Sequence, residues 1–335
     1  QKYNYTVTSR LVSTIQVYGI VSFCLELNFW KSLYMYTKTT LLITSMRPTQ
    51  WPKNIVVFTA FFFSINEGWN FTDSSDVFIK FIQVVIVFLF FCFLSGALYI
   101  LNDIKDVDFD RNHPLKRFRP IADKQISKNL GIIFSSSIIL LLVCISYVMN
   151  RDLAYCLLVY SIITLLYSFT LKKIVILDVF VIAVGFVIRV IAGAIILGVP
   201  ISIWLYLCTG LGALILAFSK RRVELIFGGD QSLEYRSVFK YYSLRMIDYF
   251  IWLVSASLVL SYSIYSYSAS NLPDNRFMLI TIPLAIFGIF RFLFLLRNGK
   301  VKVQPEDIFF RDKILLLTIV IWGITSISIL YLYRG

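Results

Sequence analysis

Histidine is almost missing from this chain. There is one, His113, in 335 residues, which excludes a His-rich metal centre. Cysteine is scarce as well. Cys24, Cys92, Cys144, Cys156 and Cys208 are scattered, with no spacing that fits a metal site or a disulfide framework. Charge is the most telling shortage. Only 15% of residues are charged and 58% are apolar or aromatic, whereas a soluble domain is about a quarter charged. A water-soluble chain and a disordered one are both excluded, because disorder needs low hydrophobicity. The mean hydropathy of +0.77 points to a polytopic membrane protein. No soluble domain, low-complexity tract or short-period repeat interrupts it.

A spanning helix needs about 20 mainly apolar residues. Nine runs qualify: 40–65, 77–101, 129–149, 153–170, 176–197, 200–218, 247–268, 277–296 and 314–333. The sequence therefore predicts an all-α membrane bundle of nine transmembrane helices. The first run is the least regular, since Arg47, Pro48, Pro52 and Lys53 interrupt it. Pro283 is expected to kink the eighth. Residues 1–40 read as an N-terminal extension, in which 11–30 forms an amphipathic surface helix or, alternatively, a tenth span. Residues 41–335 read as one transmembrane domain.

The net charge of +13 might suggest nucleic acid in a soluble protein. Here the bases sit in short loops between apolar runs, so membrane topology and anionic ligands are the better reading. With the N-terminus inside, the loops 102–128, 171–175, 219–246 and 297–313 carry seven, two, six and five Lys or Arg. The outer segments carry only Arg151, Arg276 and Arg334. This asymmetry predicts an integral membrane protein whose polar groups line a cavity on the cytoplasmic side.

The second run ends in Asn102-Asp103-Ile104-Lys105-Asp106-Val107-Asp108-Phe109-Asp110. On a continuous helix Asp103, Asp106 and Asp110 fall within about 60° of one another, flanked by Asn102, and Asp108 points the other way. Three carboxylates on one face require a compensating cation. Hard oxygen ligands suit Mg²⁺, which usually takes one or two carboxylates plus ligand phosphates. A solvated helix end is the alternative, although acids there oppose the helix dipole. Next comes Arg111-Asn112-His113-Pro114-Leu115-Lys116-Arg117-Phe118-Arg119-Pro120. Its cations form either an anion clamp or an ordinary positive-inside loop. Lys220, Arg221 and Glu224 share adjacent turns of a helix end. Asp178 and Arg189 lie on one face of the fifth run, about 16 Å apart in rise, too far to pair directly. Arg47 and Lys53 flank the first run and approach the same cavity.

The acidic stretch resembles the NDxxDxxxD signature of the UbiA superfamily of intramembrane prenyltransferases. Within it, the finer match is to the decaprenyl-phosphate phosphoribosyltransferase branch. The resemblance rests on Arg47-Pro-Thr-Gln-Trp-Pro-Lys53-Asn54, His113-Pro-Leu-Lys-Arg-Phe-Arg-Pro120, Tyr167-Ser-Phe-Thr-Leu-Lys172, Lys220-Arg-Arg-Val-Glu-Leu225 and Glu306-Asp307…Arg311-Asp312. It covers about residues 45–333. It implies a UbiA-like bundle in a bacterial plasma membrane that transfers a 5-phosphoribosyl group from phosphoribosyl pyrophosphate to a polyprenyl phosphate. The product would serve lipid-linked pentose and cell-envelope glycan synthesis. Superfamily members typically carry a second acidic motif after the sixth span. Here that place holds Lys220-Arg221-Arg222-Val223-Glu224, which favours a donor with an additional phosphate.

Under that resemblance Asp103, Asp106 and Asp110 bind Mg²⁺, and Lys116, Arg117 and Arg119 stabilise the leaving pyrophosphate. Lys220, Arg221 and Arg222 hold the ribose 5-phosphate, while Lys53, Lys172 and Arg189 hold the acceptor phosphate. Asn102, Arg47, Tyr167, Asp178 and Glu224 complete the expected substrate-binding set. The alternatives are prenyl transfer from a prenyl diphosphate to an aromatic or lipid acceptor, and a transporter or flippase. The sequence is compatible with a homo-oligomer, and no nucleic-acid partner is expected.

Overall fold

The computed structural model describes residues 38–333 except 67, 70–72, 115, 201, 236, 270, 271, 274 and 299–303. The expected amphipathic stretch 11–30 lies outside the described residues, as does most of the extension 1–40. The chain begins with α1 (Lys38–Ser45), a 3₁₀ stretch (Pro48–Phe58) and α2 (Thr59–Phe63). Then come α3 (Ser74–Lys105), α4 (Val107–Asn112), α5 (Lys128–Met149), α6 (Arg151–Phe169) and α7 (Leu177–Leu197). The second half holds α8 (Ile203–Tyr235), α9 (Leu244–Ser268), α10 (Ile282–Asn298), α11 (Pro305–Arg311) and α12 (Lys313–Tyr333).

Eight helical stretches are long and apolar enough to cross a membrane, and they coincide with eight of the nine apolar runs. The remaining run, 40–65, is the irregular one. Arg47 adopts a left-handed conformation (φ 54°), Pro48 opens the 3₁₀ stretch and Pro52 lies within it. These residues split the run into three pieces, because proline removes a helical donor and a left-handed residue ends a helical turn. Pro283 does not kink the eighth run. That run starts as 3₁₀ over Phe277–Thr281 and becomes α at Ile282, so Pro283 sits in a first turn, where its missing N–H costs nothing. The stretch 219–246, expected as a loop, is largely helical, since α8 continues to Tyr235.

Polar caps set the helix starts. Asp73 accepts from the N–H groups of Ser75 and Asp76, Asn150 from Asp152 and Leu153, and Ser243 from Met246. In α6, Ala154, Ser161 and Ser168 are buried together with Leu153, Leu157 and Tyr160, while Tyr155, Leu158, Ile162 and Leu166 are exposed. Apolar side chains thus cover both faces, as suits a bundle surrounded by hydrocarbon, and the small buried residues let helices approach.

Helix α7 ties the two halves together. Ile188, Ala192, Ala194 and Leu197 belong to an apolar cluster with α3, α6 and the broken segment. Val179 and Ala183 belong to a second cluster with α8, α9 and α10. The broken segment lies against α7 at Gly193, where an added Cβ would stand 2.3 Å from the carbonyl oxygen of Val57. Gly193→Ala should therefore destabilise the protein by about 1–3 kcal/mol, read from thermal unfolding in detergent. Gly212→Ala, with open space around its Cβ, should leave the midpoint unchanged or raise it. Equal midpoints for the two variants would contradict this packing.

Candidate active site

At one end of the bundle α3 stops at Lys105 and the chain turns at Asp106 (φ −89°, ψ 10°) before α4 begins. The three acids therefore do not share one continuous helical face. Asp103 and Asp110 are both buried, at 4% and 2% exposure. They meet at Arg119, whose Nη1 donates to Asp103 Oδ1 at 3.1 Å and to Asp110 Oδ2 at 2.6 Å. Arg47 also donates to Asp103 and lies over the Tyr99 ring. Asp106 turns elsewhere, to Lys172, whose Nζ donates to its two carboxylate oxygens at 2.8 and 2.7 Å. Lys172 arrives on a 3₁₀ turn, Leu171–Lys173, after α6. Three acids are thus matched by three bases from separate parts of the chain. Asp108 faces outward and pairs with Arg111, as the helical wheel expects.

The basic loop divides. Arg119 enters the acidic cluster, but Arg117 is exposed and lies over the Phe118 ring. Lys116 lies over the Phe109 ring, and its N–H donates to His113 Nδ1 at 3.3 Å. Asn102 is half-buried, and its carbonyl accepts the Asp106 N–H.

Helix α8 brings a second polar cluster to the same end. Arg221 is 1% exposed. It donates to Asp178 Oδ2 at 2.7 Å, Glu224 Oε2 at 2.8 Å and the Tyr167 hydroxyl at 3.4 Å. Tyr242 donates to the other Asp178 oxygen at 2.8 Å and accepts the Ile176 N–H at 2.7 Å. Ile176 is β-branched yet held at φ 70°, a strained conformation kept only when its surroundings fix it. Burial and the neighbouring Asp178 charge raise the Tyr242 hydroxyl above its ordinary range, so it remains a donor. Asp178 thus orients a basic partner, and that partner is Arg221.

Two expectations change. Arg222 points away from Lys220 and Arg221. Its guanidinium binds Asp248 at 2.7 Å and the Leu296 carbonyl at 3.1 Å, so it locks α8 to α9 and α10. Arg189 is 7% exposed and fully engaged. It donates to Asn54 Oδ1 at 2.7 Å, Tyr160 Oη at 2.7 Å and the Gly185 carbonyl at 2.6 Å. It pins the broken segment to α6 and α7 instead of facing a lipid phosphate. Lys220, by contrast, makes no hydrogen bond or ion pair among the described residues. It lies within electrostatic reach of Lys53, Glu224 and Glu306.

Glu306, on α11, pairs with Lys53 from the broken segment. Burial alone would raise its carboxyl, but the charge and hydrogen bond of Lys53 hold it below the ordinary carboxylate range. Asn54, Tyr242, Asp248 and Glu306 complete the polar scaffold beyond the residues assigned from sequence. Asn54 and Glu306 stand inside motifs already quoted. Tyr242 and Asp248 carry no local sequence signal.

No group of three or more His, Cys, Asp or Glu among the described residues is close enough to form a ready metal cage. The donor chemistry nonetheless fits a hard divalent ion. Asp103 and Asp110 reach one nitrogen of Arg119, so both can address one cation. A Mg²⁺ site completed by substrate phosphates needs no more than one or two carboxylates.

Buried, base-matched carboxylates at one end of a membrane bundle form a site suited to anionic ligands. The chain belongs to the UbiA prenyltransferase family, which it matches over residues 55–311. It is 30% identical over 291 residues to the decaprenyl-phosphate phosphoribosyltransferase of Mycolicibacterium smegmatis, covering 84% of this chain and 89% of that one. It is 27% identical over 297 residues to the Corynebacterium glutamicum enzyme of the same name, covering 87% of each. Among solved structures, a UbiA homolog from Archaeoglobus fulgidus bound to GPP and Mg²⁺ superposes with a TM-score of 0.65. That match has 19% identity and covers 86% of this chain and 99% of that one.

Removing one partner of a buried ion pair costs about 3–5 kcal/mol. Arg221→Met should therefore destabilise the protein by that amount in thermal or denaturant unfolding, whereas Arg117→Met should change nothing measurable. The Lys53–Glu306 pair has its own pH signature. The folded carboxyl is depressed, so its stabilisation is complete above the unfolded value of about 4.3. It is lost as pH falls through the folded value. The midpoint gap between wild type and Glu306→Gln should be constant from pH 6 to 8 and close below about pH 4; a gap that widens on acidification would contradict the pairing.

Proposed function

We propose that this chain transfers a 5-phosphoribosyl group from phosphoribosyl pyrophosphate to a polyprenyl phosphate, releasing pyrophosphate. Its polar end would face the cytoplasm of a bacterial plasma membrane, an orientation supported by the Lys and Arg asymmetry of its loops. The observation that carries this reading is the pairing of one acidic cluster with a basic one. The acids of the first motif are present, while the stretch 220–225 of α8 holds Lys220, Arg221 and Arg222 against a single acid, Glu224. The relatives that align over most of the chain, named decaprenyl-phosphate phosphoribosyltransferases, support it.

Two anionic substrates must meet, and an anion must leave. Arg47 and Arg119 already lie on Asp103 and Asp110. A guanidinium carries five donors, so both can hold diphosphate oxygens without leaving the carboxylates. Lys172 does the same beside Asp106. Lys220 and Lys53 are assigned to the remaining phosphate groups. Arg221 positions this end of α8 instead of touching substrate. Asp103, Asp106 and Asp110, with Asn102 beside them, are the groups that would hold Mg²⁺. When bound, that ion would neutralise the departing pyrophosphate. The acceptor's phosphate oxygen bonds to the anomeric carbon as the bond from that carbon to the diphosphate oxygen breaks. The attacking oxygen is already anionic near neutral pH, so no side chain need remove a proton.

Asp106→Asn should lower phosphoribosyl transfer by ~100-fold or more in a protein that still folds, with an unfolding midpoint lowered by loss of the Lys172 pair, and EDTA should abolish transfer by wild type. The assay follows lipid extracted after incubation with phosphoribosyl pyrophosphate and a polyprenyl phosphate. Full activity in Asp106→Asn would remove the acidic cluster from the reaction. A wild type that ignores phosphoribosyl pyrophosphate but prenylates an acceptor from a prenyl diphosphate would replace this reading with prenyl transfer.

A further inference from the structure

One phenol stands beneath the first acidic cluster. Tyr99 lies on α3 four residues before Asp103, one turn deeper on the same face. Side chains on a helix lean towards its N-terminus, so this one extends away from the polar end. Its ring underlies Arg47, whose guanidinium carbon is 5.0 Å from the ring centre. Arg47, Glu306 and Tyr167 lie within electrostatic reach of the hydroxyl, and so do Arg189 and Tyr160. Tyr99 thus stands between the polar end and the deeper Arg189 cluster. The residue is half-buried, and its hydroxyl makes no hydrogen bond among the described residues.

The other neutral polar groups around it are engaged. Asn54 Oδ1 accepts from Arg189, and Asn54 Nδ2 donates to Cys92 Sγ at 3.3 Å. The Tyr160 hydroxyl accepts from Arg189, and the Tyr167 hydroxyl accepts from Arg221. Of these four neutral side chains, Tyr99 alone keeps its polar atom uncommitted among the described residues. The charged groups nearby are suited to phosphate, whereas a phenol is suited to an uncharged oxygen.

We infer that Tyr99 is a specificity residue for the donor, its hydroxyl pairing with the ribose 2-hydroxyl in a hydrogen bond where either oxygen can donate. The inference rests on the proposed function for the identity of the donor. Phosphates account for Arg47, Arg119, Lys172, Lys220 and Lys53. A ribose also brings hydroxyl groups into a poorly solvated site, where each needs a partner. A diphosphate held at Asp103 puts the anomeric carbon beside the adjoining turn of α3, and the 2-hydroxyl is on the next carbon. A prenyl diphosphate has no hydroxyl to offer, so with that donor the phenol would stay unpaired. One hydrogen bond therefore favours a pentosyl donor over a prenyl one.

The test compares two donors on two proteins. Wild type and Tyr99→Phe, which keeps the ring under Arg47, are assayed in detergent at saturating polyprenyl phosphate. The donors are phosphoribosyl pyrophosphate and its 2-deoxy analogue. Their anomeric carbons differ in intrinsic reactivity, so the reading is the ratio of their kcat/KM values in each protein. Tyr99→Phe should lower kcat/KM for phosphoribosyl pyrophosphate about tenfold, the size of one hydrogen bond whose partner is left unpaired. The value for the 2-deoxy donor should stay near wild type, so the ratio falls about tenfold. KM for polyprenyl phosphate and the unfolding midpoint should not move. Tyr160→Phe is the contrast. It removes a hydroxyl that Arg189 uses, so it should lower the midpoint and leave the donor ratio as in wild type. An unchanged ratio in Tyr99→Phe, or a lowered midpoint there, overturns the role of Tyr99 and leaves the proposed function standing. A folded wild type inactive with both ribosyl donors refutes the proposed donor, and the role of Tyr99 falls with it.

Discussion

A charge carried to the edge of a hydrocarbon layer must be neutralised there, and this requirement organises the polar end of the molecule. Desolvation makes an unpaired buried carboxylate or guanidinium too costly to keep. Asp103 and Asp110 are sealed by Arg119 and Arg47, Asp106 by Lys172, and Asp178 by Arg221. The Arg47, Lys172 and Arg221 pairs join elements distant in sequence, so neutralising the acids also assembles the site. Arg47 comes from the broken first segment, Lys172 from the turn after α6 and Arg221 from α8. The helices alone, greasy on their outer faces, would associate with little directional preference.

The same rule gives the broken first segment its purpose. Its irregular backbone is anchored at Asn54 and Val57, which are buried, while Pro48, Thr49, Pro52 and Ile55 stay exposed. Arg189 fastens it through Asn54, while Gly193 and Gly96 let it approach α7 and α3. In that position it delivers Arg47 to the first acidic cluster and Lys53 to Glu306. A straight ninth helix would present one face to the site and could not reach both. The counterions that hold the site together are also groups able to receive phosphate oxygens, which suits a reaction whose difficulty is the meeting of anions.

Much of this was legible in the sequence, because hydropathy and loop charge report directly on membrane spans. Eight of the nine apolar runs are single helical spans, and the irregularity of the ninth follows from Arg47, Pro48 and Pro52. Residue type also identified which groups gather at the polar end. What stayed hidden was pairing, since Arg47 and Lys172 contact acids 56 and 66 residues away. The helical wheel assumed an unbroken helix through Asp106, whereas the turn there sends Asp106 to a different base from its neighbours. Arg189 shows the limit of a general rule. Ionisable residues inside spans usually mark a substrate path, but this one is consumed by Asn54, Tyr160 and a carbonyl as a cross-link. Arg222 likewise read as part of a triplet of bases, yet successive residues on a helix point in different directions.

The most direct measurement uses phosphoribosyl pyrophosphate labelled with one isotope in the ribose and another in the diphosphate. It is incubated with purified protein, Mg²⁺ and a polyprenyl phosphate. The account predicts ribose label in the extracted lipid and an equal molar amount of diphosphate label released as aqueous pyrophosphate. Both labels remaining in intact donor, from folded protein supplied with long-chain and short-chain acceptors, would contradict it.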